Sequence, residues 1–202
     1  KKITRPRSEW NFIALLTALS ITDALAELDA DVKFNVKWPN DILVKEKKIA
    51  GLLCQAVDSG VIVGVGLNVS MQEEELPVAS ATSLFLENYS ELDRSEILKR
   101  ILQNFEKNFT IWQKQGSAAF ISPYQQQCSS LNRDIQIISP TGESTAAVAT
   151  AAATATAMAA VPEAARAAER RQQSDGSRGT ATERLSQSDG RRATAAERRP
   201  QS

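Results

Sequence analysis

The chain has 202 residues and a formal net charge of zero, which hides two unlike pieces. Residues 1–145 hold ten Lys and five Arg against eighteen acids, a net of −3; residues 146–202 hold nine Arg, no Lys and six acids, a net of +3, and neither value argues for steering toward nucleic acid or membrane. Histidine is absent, so Ser-His-Asp and Cys-His nucleophile systems, histidine bases and histidine-containing zinc sites are excluded.

In chain order, Trp10, Ile13, Ala14, Thr17, Ala18, Ile21, Leu25 and Leu28 recur at three- and four-residue spacing and predict a helix over 9–28 with a broad buried face. Asp29 to Asp31 end it. Val32, Phe34 and Val36 alternate with Lys33 and Asn35 as a half-exposed strand, which Pro39 breaks. Ile42 to Val44 start a second strand, Lys45 to Lys48 form a charged hairpin turn, and Ile49 to Ala56 return. Asp58-Ser59-Gly60 is a tight turn into Val61–Val69, a run apolar on both faces and therefore expected in the middle of the sheet. An acidic loop around Glu73-Glu74-Glu75 and Pro77 leads to a second helix over 94–115, with an apolar stripe of Ile97, Leu98, Ile101, Leu102, Phe105, Phe109 and Trp112 read as core and a stop at Gly116. Ile135–Ile138 begins a strand that the sequence then abandons. The fold class is α+β, helices packed on a mostly antiparallel sheet.

From Ala146 the material changes. There is no aromatic residue, no isoleucine and one leucine, Leu185, too little apolar area to offset ordering, so this low-complexity tail is expected to be disordered. Glu-Arg at 169, 183 and 197 and Gln-Ser at 173, 187 and 201 recur every 14 residues without a maintained hydrophobic position, so the repeat is not a fold. Lys, Asn, Ile, Phe and Tyr are missing from the tail, a bias that fits GC-rich sequence joined to, or read out of frame after, an ordinary gene; a natural extension fits equally. Cys54 and Cys128 read as plain core thiols. No run resembles a signal peptide or a membrane span, so a cytoplasmic setting is expected.

Two motifs carry chemistry. Lys37-Trp38-Pro39-Asn40-Asp41 lies at one strand end, and Lys48-Ile49-Ala50-Gly51 opens a neighbouring strand. Two ammonium groups at adjacent strand ends suit an anionic ligand, and the glycine lets it approach the backbone, although strand-end lysines also simply solvate a sheet edge. Pro-Asn-Asp alone is an ordinary turn. Gly64-x-Gly66 is not a dinucleotide fingerprint, since Val69 stands at the third position and no helix follows. Glycine in a strand marks a bulge or a close ligand approach instead.

In combination these motifs resemble the biotin protein ligases, whose fold is that of biotin–lipoyl ligases and similar to class II aminoacyl-tRNA synthetases. The resemblance implies ATP-dependent formation of biotinyl-5′-AMP with Mg²⁺, then transfer of biotin to a lysine of a biotin carboxyl carrier protein. It assigns Lys48, Lys37 and Asp41 to catalysis, with Asp41 either helping to hold the metal or orienting Lys37 or Lys48. It places Lys48, Gly51, Leu53, Gly64, Gly66, Asn68, Asn40 and Trp38 around the ligands, with Asn68 near adenine and Leu53 on the biotin ring. Ala81 to Leu84 resembles a segment that closes over the nucleotide. The likeness implies a partial catalytic domain over 1–130, the start of a C-terminal β-barrel over 131–145 and the tail over 146–202, incomplete at both ends. Membrane and nucleic-acid partners are not expected. A lipoate-attaching relative and a non-catalytic fragment are the competing expectations.

Overall fold

The computed structural model describes residues 2–138 and 144–148. The chain divides into two units, Lys1–Pro162 and Glu163–Ser202, and the second lies wholly outside the described residues. So does most of the tail expected to be disordered.

The first unit is α+β. Its order is α1 (Phe12–Leu28), β1 (Asn35–Lys37), β2 (Asp41–Val44), β3 (Lys47–Val57), β4 (Gly60–Leu67), α2 (Arg94–Gln115), α3 (Ile121–Gln127), β5 (Asp134–Ile138) and β6 (Ser144–Val148), with short 3-10 turns between. Strands β1 to β4 form one antiparallel sheet in sequence order, and β5 pairs with β6. Helix α1 is buried nearly all round because its sequence is apolar nearly all round; Leu15, Leu16, Leu19, Ile21 and Leu25 are at most 1% exposed. It packs against the sheet on one side and α2 and α3 on others. Its hydroxyls are satisfied internally: Thr17 and Ser20 donate to carbonyls one turn back, Ile13 and Leu16.

Helix α2 spans the predicted residues. Asp93 caps it by accepting from Ser95 N at 2.7 Å, and Gly116, at φ +76°, ends it in a conformation few other residues adopt. Its stripe is only partly core. Ile97, Phe109 and Trp112 are buried, but Leu98 and Leu102 are more than half exposed. Asn104 and Asn108 are buried instead, donating to Glu27 and to Ser20 and Asp23 of α1.

Two further differences concern strands. β4 is the edge of the sheet, not its middle. Val61, Val63, Val65 and Leu67 face an open apolar groove of about 980 Å³ shared with Ile97, Leu98, Ile101 and Leu102, whereas on the other face Gly64 and Gly66 have no side chain to bury. A run apolar by composition therefore did not need two covering layers. The strand begun at Ile135 is answered rather than abandoned: Ser144–Val148 returns antiparallel, three residues past where the tail was drawn. Of the two cysteines, both free, Cys128 is buried and Cys54 half-buried, its thiol pushed up to about 11 by burial.

Candidate functional site

The sheet has a core row and a solvent row, and the register fixes both. Val36, Ile42, Ala50 and Leu67 stand opposite one another across the four strands and face the helices. One residue along, Lys37, Asp41, Gly51 and Gly66 form the adjoining row. Residues directly opposite share a face and neighbours along a strand alternate, so this second row lies on the side away from the core. Leu53, opposite Gly64, lies on the same side, 42% exposed.

Lys48 reaches this face through an irregularity. Gly51 stands three positions after it, so unbroken alternation would place them on opposite faces. The β2–β3 register shifts between Ile42 and Leu43, leaving Ile49 as the extra residue between Ala50, opposite Ile42, and Lys48, opposite Leu43. The bulge brings the lysine round. Its Nζ pairs with Asp41 Oδ1 at 2.5 Å while its stem lies over Gly51, where an added Cβ would stand 3.1 Å from both Cε and Nζ of Lys48. Gly51 is thus the bed of the lysine side chain. Gly64 and Gly66 differ: a Cβ there meets only Leu53 O at 3.6 Å or Gly51 O at 4.0 Å, so the protein's own packing does not require glycine at either position.

Asn40 is held by Leu52, which donates its N–H to Asn40 O at 2.8 Å and accepts from the Asn40 side-chain amide at 2.7 Å. Trp38, before a cis bond to Pro39, donates its backbone N–H to Ser130 Oγ at 3.3 Å and keeps a buried indole N–H without a partner. Lys37 is exposed. Asn68 N–H bonds Ile49 O at 2.9 Å, and its side-chain amide donates to Thr82 O at 2.9 Å.

Sequence reasoning missed Glu87 and gave Ser80–Thr82 too small a part. Lys48 N donates to Ser80 O and Thr82 N donates to Lys48 O, both at 2.8 Å, forming a parallel bridge of Lys48 with Ala81. The likeness of 81–84 to a family segment was the available signal for this strap; nothing in the sequence marked Glu87. Among the described residues no three His, Cys, Asp or Glu gather to hold a metal, and the one carboxylate here, Asp41, already carries Lys48 on Oδ1.

The arrangement is a glycine-floored strip with a fixed ammonium–carboxylate pair at one end and a half-exposed leucine beside it. Residues 2–71 match the model of the Biotin/lipoate A/B protein ligase family. Over that stretch the chain is similar to that family. It is 29% identical over 146 residues to the biotin–[acetyl-CoA-carboxylase] ligase of Mycobacterium tuberculosis, covering 71% of this chain and 54% of the relative. It is 34% identical over 112 residues to the bifunctional ligase/repressor of Bacillus subtilis, covering 52% and 34%. The apo biotin protein ligase of Aquifex aeolicus superposes with a TM-score of 0.60 at 26% identity, covering 67% of this chain and 61% of that one. The same enzyme solved with biotin and ATP gives 0.57 at 26% identity, covering 67% and 58%. The antiparallel sheet with its helices is therefore that of the biotin protein ligases. The chain spans about half the length of the Mycobacterium relative and about a third of the Bacillus one.

Proposed function

We propose that this chain carries the adenylate-binding sheet of a biotin protein ligase, acting in the cytoplasm on a biotin carboxyl carrier protein. The observation that carries this reading is Lys48 Nζ, fixed by Asp41 above Gly51 at the end of a strip floored by Gly64 and Gly66. A flat apolar-edged floor ending in a cation suits a ligand with an uncharged body and an anionic junction. In the proposed reaction the biotin carboxylate attacks the α-phosphorus of Mg-ATP and pyrophosphate leaves. The amine of the carrier lysine then attacks the acyl carbon and AMP leaves. Both steps build negative charge on oxygen at the mixed anhydride, where a preorganised ammonium stabilises it. The nucleophile of each step comes from a substrate, so the site supplies position and charge. The metal belongs to the nucleotide; Mg²⁺ characteristically rides on phosphates with one or two carboxylates, and the second oxygen of Asp41 is the group this sheet offers it. Lys37, directly opposite Asp41 in the same row, is the second cation, with Trp38 and Asn40 in the turn between them. Leu53 bounds the biotin body, and Asn68 borders the adenine.

Calorimetry with a non-hydrolysable biotinyl-5′-adenylate analogue tests this directly. Lys48→Ala should weaken binding by about 10–100-fold, the effect of removing one charged hydrogen bond, while Lys114→Ala on α2 should not. Equal affinity of the two variants would return Lys48 to an edge lysine. Stronger competition by the lipoyl adenylate would move the reading to a lipoate-attaching relative. Pyrophosphate release from biotin and Mg-ATP by the 202-residue chain separates an active ligase from a non-catalytic piece of one.

A further inference from the structure

Outside the strip, one nearly buried carboxylate has no part in the proposed chemistry. The Glu87 side chain is 9% exposed, and both its oxygens are used. Oε1 accepts from Thr82 Oγ1 at 2.8 Å, and Oε2 pairs with Lys45 Nζ at 2.9 Å. Lys45 stands in the two-residue turn between β2 and β3, and both turn residues, Lys45 and Glu46, have positive φ of 48° and 67°. Glu87 therefore ties the β2–β3 turn to the strap Ser80–Thr82.

The strap is tied from the other side as well. Asn68 follows β4 and uses three groups at once. Its N–H holds Ile49 O, its carbonyl accepts from Leu84 N, and its side-chain amide holds Thr82 O. With β2 on one side of β3, the strap occupies the lane that β4 leaves after Leu67, and there it takes both backbone groups of Lys48. The lysine sits beside a bulge, where the ladder is locally disrupted and the strand bends. Something must fix its direction.

We propose that Asn68 and Glu87 are positioning residues for Lys48, acting through the Ser80–Thr82 strap to hold its backbone so that the ammonium stays over Gly51 against Asp41. This rests on the reading of Lys48 as the cation of the site. It also gives Asn68 a role that does not need a nucleotide to be bound. Neither residue touches the reacting atoms in this account. They set the aim of one that does.

The test reads Lys48 without ligand, so its failure and the failure of the ligase reading are distinguishable. Trace acetylation of the full 202-residue chain with acetic anhydride at fixed pH, mapped by fragment-ion mass spectrometry after a non-tryptic digest, gives a relative rate for each lysine. With Lys114 as internal reference, the Lys48 rate should rise about fivefold in Asn68→Ala and in Glu87→Ala, the equilibrium equivalent of losing one restraining hydrogen bond. Thr82→Val, which keeps shape but loses the hydroxyl, should behave like Glu87→Ala; Thr82→Ser should restore the parent rate. Measurement well below each variant's melting temperature keeps global unfolding out of the reading. Should Asn68→Ala prove unfolded, Thr82→Val against Thr82→Ser decides alone. Unchanged Lys48 rates in folded variants whose melting temperature has fallen would overturn the proposal, since these residues would then support the fold without aiming the lysine. Raised rates together with analogue binding indifferent to Lys48→Ala would keep the strap as a clamp and sink the ligand role of Lys48 instead.

Discussion

At the scale of single residues, Gly51 and Glu87 make opposite kinds of statement. At Gly51 the nearest obstacle to a Cβ is the end of the Lys48 side chain, 3.1 Å away, and this neighbour can swing aside. Gly51→Ala should therefore cost little stability, because strand backbone tolerates alanine, yet it should push the ammonium off Asp41 and weaken adenylate-analogue binding by at least tenfold. Thermal melts paired with calorimetry read both; a large loss of melting temperature with unchanged affinity would show that the glycine serves the backbone alone. Glu87 makes a prediction in pH. Burial raises its affinity for a proton, but hydrogen bonds from Lys45 and Thr82 and the charges of Lys45 and Lys47 prevail and leave it below its ordinary value of 4.5. The unfolded chain thus binds the proton more readily, so the stabilisation is fully present above pH 4.5 and is lost as pH falls through the folded-state value. Melting curves of the parent and Glu87→Gln should differ at pH 6 to 7 and converge in strong acid. A constant offset across that range would contradict the linkage.

Elements differ in how far their sequence gave them away, and the difference is physical. Helix α2 was legible to its last residue because its ends are chemical: Asp93 caps one and Gly116 stops the other. Asp93→Ala should cost about 1 kcal/mol in denaturant melts, the usual worth of such a cap. Helix α3 left no comparable mark, being a single short stretch of mixed residues with Pro123 inside it. The strands were found as apolar runs, but their order was not, because composition reports how apolar a run is and not what covers it. β4 shows this, its valines lining a groove at the sheet edge. The site was legible as residue types and illegible as geometry. Lys48 and Gly51 were singled out at a spacing that alternation would split between two faces, and the bulge at Ile49 that reunites them has no sequence signature. The row Lys37, Asp41, Gly51 and Gly66 likewise exists only through register.

For the whole molecule, that row divides labour between two faces of one sheet. Val36, Ile42 and Ala50, each at most 2% exposed, bind the helices, while the residues one step along each strand are free to serve a ligand. The two sides of the sheet should then respond differently to a change of bulk. On the core side, Leu16, fully buried, should cost about 2–5 kcal/mol when cut to alanine and should lower binding only by unfolding the chain. On the strip, Gly66 meets no atom of its own protein closer than 4.0 Å around a new Cβ, and its backbone is not in the left-handed region reserved for glycine. Gly66→Ala restricts the unfolded chain without straining the folded one, so it should raise stability by about 0.4–1 kcal/mol. The same methyl would stand where a ligand must lie against the backbone, and affinity for the adenylate analogue should fall. A protein that becomes more stable and binds less well is the signature of a residue kept for a ligand. Gly64→Ala should show the same pairing more weakly, since Leu53 O already approaches to 3.6 Å. Gains in stability with affinity intact at both positions would mean that the ligand does not lie on this floor.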